Sequence, residues 1–151
     1  INKLKKMKIK SLIVVVSLIL SSCASTFQYN KIAQPNSNDK EMATIYVLRP
    51  SSFGSAIKFG IYQDEKLMGK LGPKSYLAWT VKPDGKELTI MSKSENKDML
   101  TINPQAGKTY YIKQKVKMGI TIARTGLEFI EENEGKEILR KLKAPKSKYT
   151  E

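Results

Sequence analysis

Two pairs of adjacent carboxylates, Asp64-Glu65 and Glu131-Glu132, are the side chains here best suited by type to acid–base chemistry. Hydrolysis of a glycan needs two carboxyls facing each other across a sugar at about 5–9.5 Å, one of them with a raised pKa. Asp64-Glu65 falls between two β-rich runs and Glu131-Glu132 precedes a helical pattern, so a solvated turn tip and a helix's first turn are the more economical readings. The 151 residues contain no histidine. That removes the commonest general base, the usual partner of a serine or cysteine nucleophile, and the commonest zinc ligand. No catalytic residue, metal or cofactor is therefore expected. Gly107-Lys108-Thr109 has the composition of the end of a phosphate-binding loop, but the earlier glycine is missing and a Tyr-Tyr-Ile strand follows where that loop needs a helix.

The single cysteine, Cys23, has a more specific setting. Lys3, Lys5, Lys6, Lys8 and Lys10 form a basic leader, Leu12 to Leu20 an apolar run, and small residues lead up to the cysteine, which is the layout of an export signal. Met7-Lys8-Ile9-Lys10 alone would supply such a leader. The run is shorter than the roughly 20 apolar residues a membrane-crossing helix needs. Leu20-Ser21-Ser22-Cys23 resembles the lipobox of bacterial lipoproteins. The resemblance implies a diacylglycerol on the Cys23 thiol, cleavage between Ser22 and Cys23, and a protein held to a membrane through that residue. An uncleaved hydrophobic anchor with an incidental cysteine is the other reading. Ala24 lacks the aspartate associated with inner-membrane retention in many diderm bacteria, so such a source implies the outer membrane, facing the periplasm. In a single-membrane organism the same signal implies the outer face of the plasma membrane.

Residues 1–22 hold five of the 27 basic groups and none of the 14 acidic ones, which leaves +8 on the remainder. An exported protein meets little nucleic acid, so anionic lipid, wall polymers or envelope proteins are the expected partners. Tyr111, Lys113, Lys115 and Lys117 alternate along a predicted strand and would line an aromatic ring up with three ammonium groups, a candidate anion-binding stripe. A solvent face that discourages edge pairing through lysine is the ordinary explanation. Trp79, Tyr76 and Phe59 suit either a ligand platform or, more usually, a core.

The elements that must position these residues are short β-rich runs separated by turn residues. Residues 23–41 read as a lipidated terminus and flexible tether, 42–143 as one mainly β, antiparallel sandwich domain with a short C-terminal helix, and 144–151 as a flexible tail. Pro83-Asp84-Gly85 should join the Trp79 strand to Glu87–Lys93 as a hairpin, Thr109 to Met118 should be the longest strand, and Ile120–Ala123 and Leu127–Glu131 should be separate short strands around Gly126. Asn133 should cap a helix whose Ile138, Leu139 and Leu142 pack on the sandwich.

Ala43-Thr44-Ile45-Tyr46-Val47-Leu48-Arg49-Pro50, Pro83-Asp84-Gly85 before a Leu-Thr-Ile strand, Ala106-Gly107-Lys108-Thr109-Tyr110-Tyr111-Ile112 and the closing Glu131–Leu142 helix together resemble domain-of-unknown-function family 2846, a bacterial lipoprotein domain. A weaker likeness is to PEGA-type surface domains. The resemblance implies a small β-sandwich and carries over no catalytic residue. Family members often show Pro-Gly-x-His where this chain has Pro83-Asp84-Gly85-Lys86-Glu87, so a histidine-based role could not operate here. The resulting expectation is a lipid-anchored, non-enzymatic binding or scaffolding module of the cell envelope, with a cell-wall-directed carboxylate hydrolase as the alternative.

Overall fold

The computed structural model describes residues 24–34 and 39–150, so Leu20, Ser21, Ser22 and Cys23 lie outside the described residues. Among the described residues the chain forms β1 (Phe27–Gln28), β2 (Ala43–Arg49), β3 (Phe59–Gln63), β4 (Lys66–Leu71), β5 (Ser75–Val81), β6 (Leu88–Lys93), β7 (Lys97–Ile102), β8 (Thr109–Met118), β9 (Ala123–Ile130), α1 (Glu132–Leu139) and β10 (Lys146–Ser147). One sheet runs β10-β1-β4-β3-β6-β7 and the other β5-β2-β8-β9. Strand alternation then sorts the side chains. Ile45, Val47, Leu77, Trp79 and Ile112 of the smaller sheet meet Ile61, Met68, Leu71, Ile90 and Ile102 of the larger one in the main core. The fold is the expected mainly β sandwich with a short C-terminal helix.

Several connections differ from the sequence expectation. The turn at Pro83-Asp84-Gly85 joins no hairpin: β5 lies in one sheet and β6 in the other, so the turn is a corner between layers. Strand β2 pairs with β8 in parallel, and β1 with β10 likewise, while the remaining pairs are antiparallel. Residues 119–122 are a loop, and β9 continues through Gly126 as one strand.

The tether and the tail are also corrected. Residues 24–33 are packed onto the sandwich, with Thr26, Gln28 and Ala33 buried, and β1 and β10 add two short strands beside β4. The cause is an exposed edge on β5, whose backbone groups at Ala78 would otherwise lack partners. The Gln28 side-chain amide supplies both: Ala78 N–H donates to Gln28 Oε1 at 2.9 Å, and Gln28 Nε2 donates to Ala78 O at 2.7 Å. On the opposite seam Asn96 treats Thr125 of β9 in the same way, at 2.9 and 2.8 Å, and Asp98 Oδ2 accepts from Leu127 N–H. Composition reads 24–34 as polar chain because it shows no apolar period; its binding is done by a polar side chain instead.

The helix covers the outer face of the smaller sheet. Ile138, Leu139 and Leu142 pack against Tyr46, Leu48, Ala78 and Tyr111, as their spacing predicts. Its N-cap is Glu131 rather than Asn133, without a side-chain capping bond. Gly135, a weak helix former, is the contact point: a Cβ there would lie 2.3 Å from Tyr111 Cγ. Arg49, at the end of β2, is fully buried. Its guanidinium donates to Ile57 O, Leu71 O, Phe53 O and Gly54 O at 2.6–3.1 Å and lies 4.8 Å from the Phe59 ring centroid. Burial pulls its pKa down to about 10, so it remains a cation at neutral pH.

Gly135→Ala separates two opposed effects. Helix propensity alone would favour alanine by about 1 kcal/mol, whereas the clash with Tyr111 should give a net loss of about 1–3 kcal/mol, seen as a lower urea midpoint. A raised midpoint would mean that the helix does not rest on Tyr111. Arg49→Leu strips four carbonyls of their donor and should cost about 3–5 kcal/mol in the same measurement, whereas an unchanged midpoint would show that solvent replaces it.

Candidate functional site

Because β2 and β8 run parallel, the sandwich has two unlike ends, and the residues that could do chemistry separate between them. At the end where β8 starts and β9 finishes, the turn Ala106–Thr109 and the start of α1 border an open groove of about 640 Å³, whose lining includes Lys108, Tyr110, Tyr111, Glu131 and Glu132. A second hollow of about 400 Å³ continues it past Gly107 and Glu132 to Lys40 and Lys136. Gly107 takes φ +73° in this turn, and Lys108 Nζ stands 5.4 Å from the Tyr110 ring centroid. The segment carrying part of the family resemblance, Ala106 to Ile112, thus forms one wall. Sequence reasoning missed this groove because its other wall comes from the helix start and the Asp39–Met42 turn.

The groove is polar, and its acidic side chains are partly engaged. Glu132 pairs with Lys136 at 2.5 Å, one helical turn on. Beneath it Tyr46 and Tyr111 stack at 5.3 Å between centroids with planes 8° apart, and Tyr76 meets Tyr46 at 6.1 Å. Burial, reinforced by Tyr111 and then Tyr76, pushes the Tyr46 phenol up to about 12. It stays protonated at neutral pH and can only exchange hydrogen bonds there. Asp64 and Glu65, both at positive φ, form the β3–β4 turn, where Asp64 Oδ1 accepts from Thr89 N–H at 2.8 Å. Among the described residues the two carboxylates whose pKa the structure moves, Glu95 and Glu128, both move down, opposite to what a general acid needs.

The proposed stripe on β8 is not a free row of charge. Tyr111 is buried under α1. Lys113 pairs with Glu134 at 3.1 Å and Glu128 at 3.8 Å, and Lys115 with Glu128. Glu128 is held below its ordinary range by the hydrogen bond from Lys115 first, against some desolvation, and then by the charges of Lys115, Lys113 and Lys117. The acids responsible stand on β9 and α1, which the β8 sequence cannot announce. Trp79 and Phe59 are core rather than platform, with Trp79 Nε1 donating to Gln63 Oε1 at 2.7 Å.

The opposite end receives the residue that follows Cys23. Ala24 N–H donates to Ser55 O at 3.0 Å, and Gly72 packs so closely that a Cβ there would lie 2.1 Å from Ala24 O. Gly72 N–H donates to Thr26 Oγ1, whose hydroxyl also bonds Ser75. The β8–β9 loop, 119–122, and the β6–β7 turn project at this same end. Glu95 in that turn accepts the N–H groups of Ile120, Thr121 and Ile122 at 3.0–3.4 Å. Among the described residues no helix is long and apolar enough to cross a membrane, and no group of three or more metal-binding side chains occurs.

A family model described as protein of unknown function, DUF2846, matches residues 39–127. A protein of Haemophilus influenzae (strain ATCC 51907 / DSM 11121 / KW20 / Rd), described as "Uncharacterized protein", is 32% identical over 143 residues, covering 91% of this chain and 84% of that one. No solved structure matches. The chain belongs to the DUF2846 family.

The Glu95 arrangement has a pH signature. The Ile120 N–H first, opposed by partial desolvation and helped by the Ile122 and Thr121 N–H groups and Arg124, holds this carboxylate below its usual range. A depressed carboxylate contributes stability above its unfolded pKa and loses it as pH falls through the folded value. Protection of the 120–122 amides, taken as exchange relative to an unstructured chain at the same pH, should therefore fall in Glu95→Gln at neutral pH, and in the native protein only on acidification below the usual carboxylate range. Equal protection in the two proteins at neutral pH would show that the carboxylate does not hold the loop.

Proposed function

We propose that this DUF2846 protein is a lipid-anchored cell-envelope lipoprotein whose sandwich serves as a non-enzymatic binding or scaffolding module. One observation carries the reading: the single cysteine of 151 residues stands at the end of a basic leader and a short apolar run, behind Leu20, Ser21 and Ser22. The thiol of Cys23 is the site of lipidation, and the acyl chains provide the attachment to the membrane. In a diderm source that membrane is the outer one, with the domain in the periplasm; in a single-membrane source it is the outer face of the plasma membrane.

The two ends of the sandwich support a division of labour. Ala24 fixes the anchor to one end, and the groove between Gly107 and Glu132 lies at the other, open toward whatever the envelope presents. Its mixed lining of Lys108, Lys136, Glu131, Glu132 and Tyr110 suits a polar partner with both hydrogen-bonding and charged groups, such as a wall polymer or an envelope protein.

Metabolic labelling with palmitate should mark the protein in cells, and Cys23→Ala should abolish the label and leave an unprocessed chain. Label retained in full by Cys23→Ala would overturn the lipoprotein reading.

A further inference from the structure

The anchored end of the sandwich carries an apolar surface that the core does not use. Ile120 is 97% exposed, Met118 81%, Ile122 61% and Phe53 51%. These side chains come from two loops, 51–57 and 119–122, and from the last residue of β8. All lie at the end that receives Ala24, because β2 and β8 are parallel and Ala24 bonds Ser55. Strand β8 continues to Met118 after its last pair with β2, Lys113 with Leu48, so the β8–β9 tip extends beyond that strand.

The tip is built to stay open. Glu95 binds three consecutive amides of the loop, and Ser94 Oγ donates to Ala123 O at 2.7 Å. An apolar loop free to collapse would fold its isoleucines onto the protein; a loop braced through its backbone presents them to solvent. Around it stand Lys58, Lys93, Lys97, Lys117 and Arg124, all exposed. Of the acids here, Glu95 is committed to the loop amides and Asp98 to Leu127 and Met99 N–H. Lys58 also reaches the Phe27 ring, where Lys146 and Lys148 add two more ammonium groups, all three at 4.4–5.9 Å from its centroid.

We infer that this end is a bilayer-docking surface: Met118, Ile120, Ile122 and Phe53 insert into the membrane that holds the acyl chains of Cys23, while the surrounding lysines and Arg124 face anionic headgroups. The inference rests on the lipoprotein reading and deepens it. Its decisive element is the lack of slack. Consecutive Cα atoms are at most about 3.8 Å apart, so a lipid on Cys23 begins one residue from the docked Ala24. A protein held that closely brings its projecting apolar tip into the interface, where amphipathic surfaces settle roughly 5–10 Å deep.

Lipidation consumes the native thiol, so one introduced cysteine can carry an environment-sensitive fluorophore in the full chain. The probe would be placed at Ile120→Cys or Phe53→Cys, with Gln105→Cys beside the groove as the control, and the lipid-modified protein reconstituted into phosphatidylethanolamine–phosphatidylglycerol vesicles. Emission at 120 and 53 should shift to the blue and be quenched by brominated lipid several-fold more than at 105. Equal quenching at both ends, or no shift at 120 and 53, would overturn the docking surface, as would a shift that follows protein density rather than bromine content, since that marks a second copy. Labelling of two thiols instead of one would show that Cys23 is free. The lipoprotein reading would then fail separately, and the same comparison on added vesicles would still decide whether the tip enters lipid.

Discussion

The arrangement of this protein hangs on one primary amide. A four-stranded sheet ending in β5 leaves Ala78 with an N–H and a C=O that no strand pairs; the fully buried Gln28 side chain satisfies both, and Ala33 N–H adds a second bond to the carbonyl at 2.9 Å. Leaving such groups without partners would cost about 1–3 kcal/mol each. The bond is therefore structural closure of an edge. It also draws residues 24–33 along the sandwich and fixes where the chain emerges beside Cys23. A residue that seals the fold thereby also sets where residue 24 leaves it.

Arg49 performs the complementary task at the end where the chain emerges. A buried guanidinium normally faces a carboxylate, but here four carbonyls from loop 53–57 and Leu71 surround it, with the Phe59 ring alongside. The carbonyl dipoles compensate part of the desolvation that lowers its pKa. They also give loop 51–57 a fixed course, so Ser55 is positioned to receive Ala24 N–H and Phe53 is left outside. Closing the edge and ordering the end that receives Ala24 are consequently coupled through the junction of Thr26, Gly72 and Ser75.

What the sequence reveals about this fold follows what periodicity can encode. The β-rich runs, the turn at Asp64-Glu65 and the apolar stripe of Ile138, Leu139 and Leu142 are local patterns, and each appears in the structure. Parallel pairing of β2 with β8 is not local, since nothing in either strand names a partner some sixty residues away. The Pro83-Asp84-Gly85 turn is legible as a turn but not as a corner, because the same residues serve both. Residues 24–34 were hidden for a different reason: their contribution is made by polar side chains and by close approach at Gly72, neither of which leaves an apolar period. The lysine row on β8 shows the reverse limit: the row is a local pattern, but the acids that pair with Lys113 and Lys115, Glu128 and Glu134, arrive from other elements.

An acyl anchor and an apolar tip would supply different things. Acyl chains give affinity, at about 0.8 kcal/mol per buried methylene, but a lipid on a flexible stem leaves the attached domain free to turn. Burying an isoleucine or phenylalanine fully is worth about 1.5–3 kcal/mol, too little for two or three such residues to hold a protein on a membrane unaided against the cost of association. Once the lipid has already restricted the domain to the surface, that association cost has been met. The same few kcal/mol then act on orientation alone, where about 1.4 kcal/mol changes a population ratio tenfold. On the proposed lipid attachment, the short link at Ala24 and the braced apolar tip would belong together, and their joint effect would be to turn the groove beside Lys108 and Glu132 away from the bilayer.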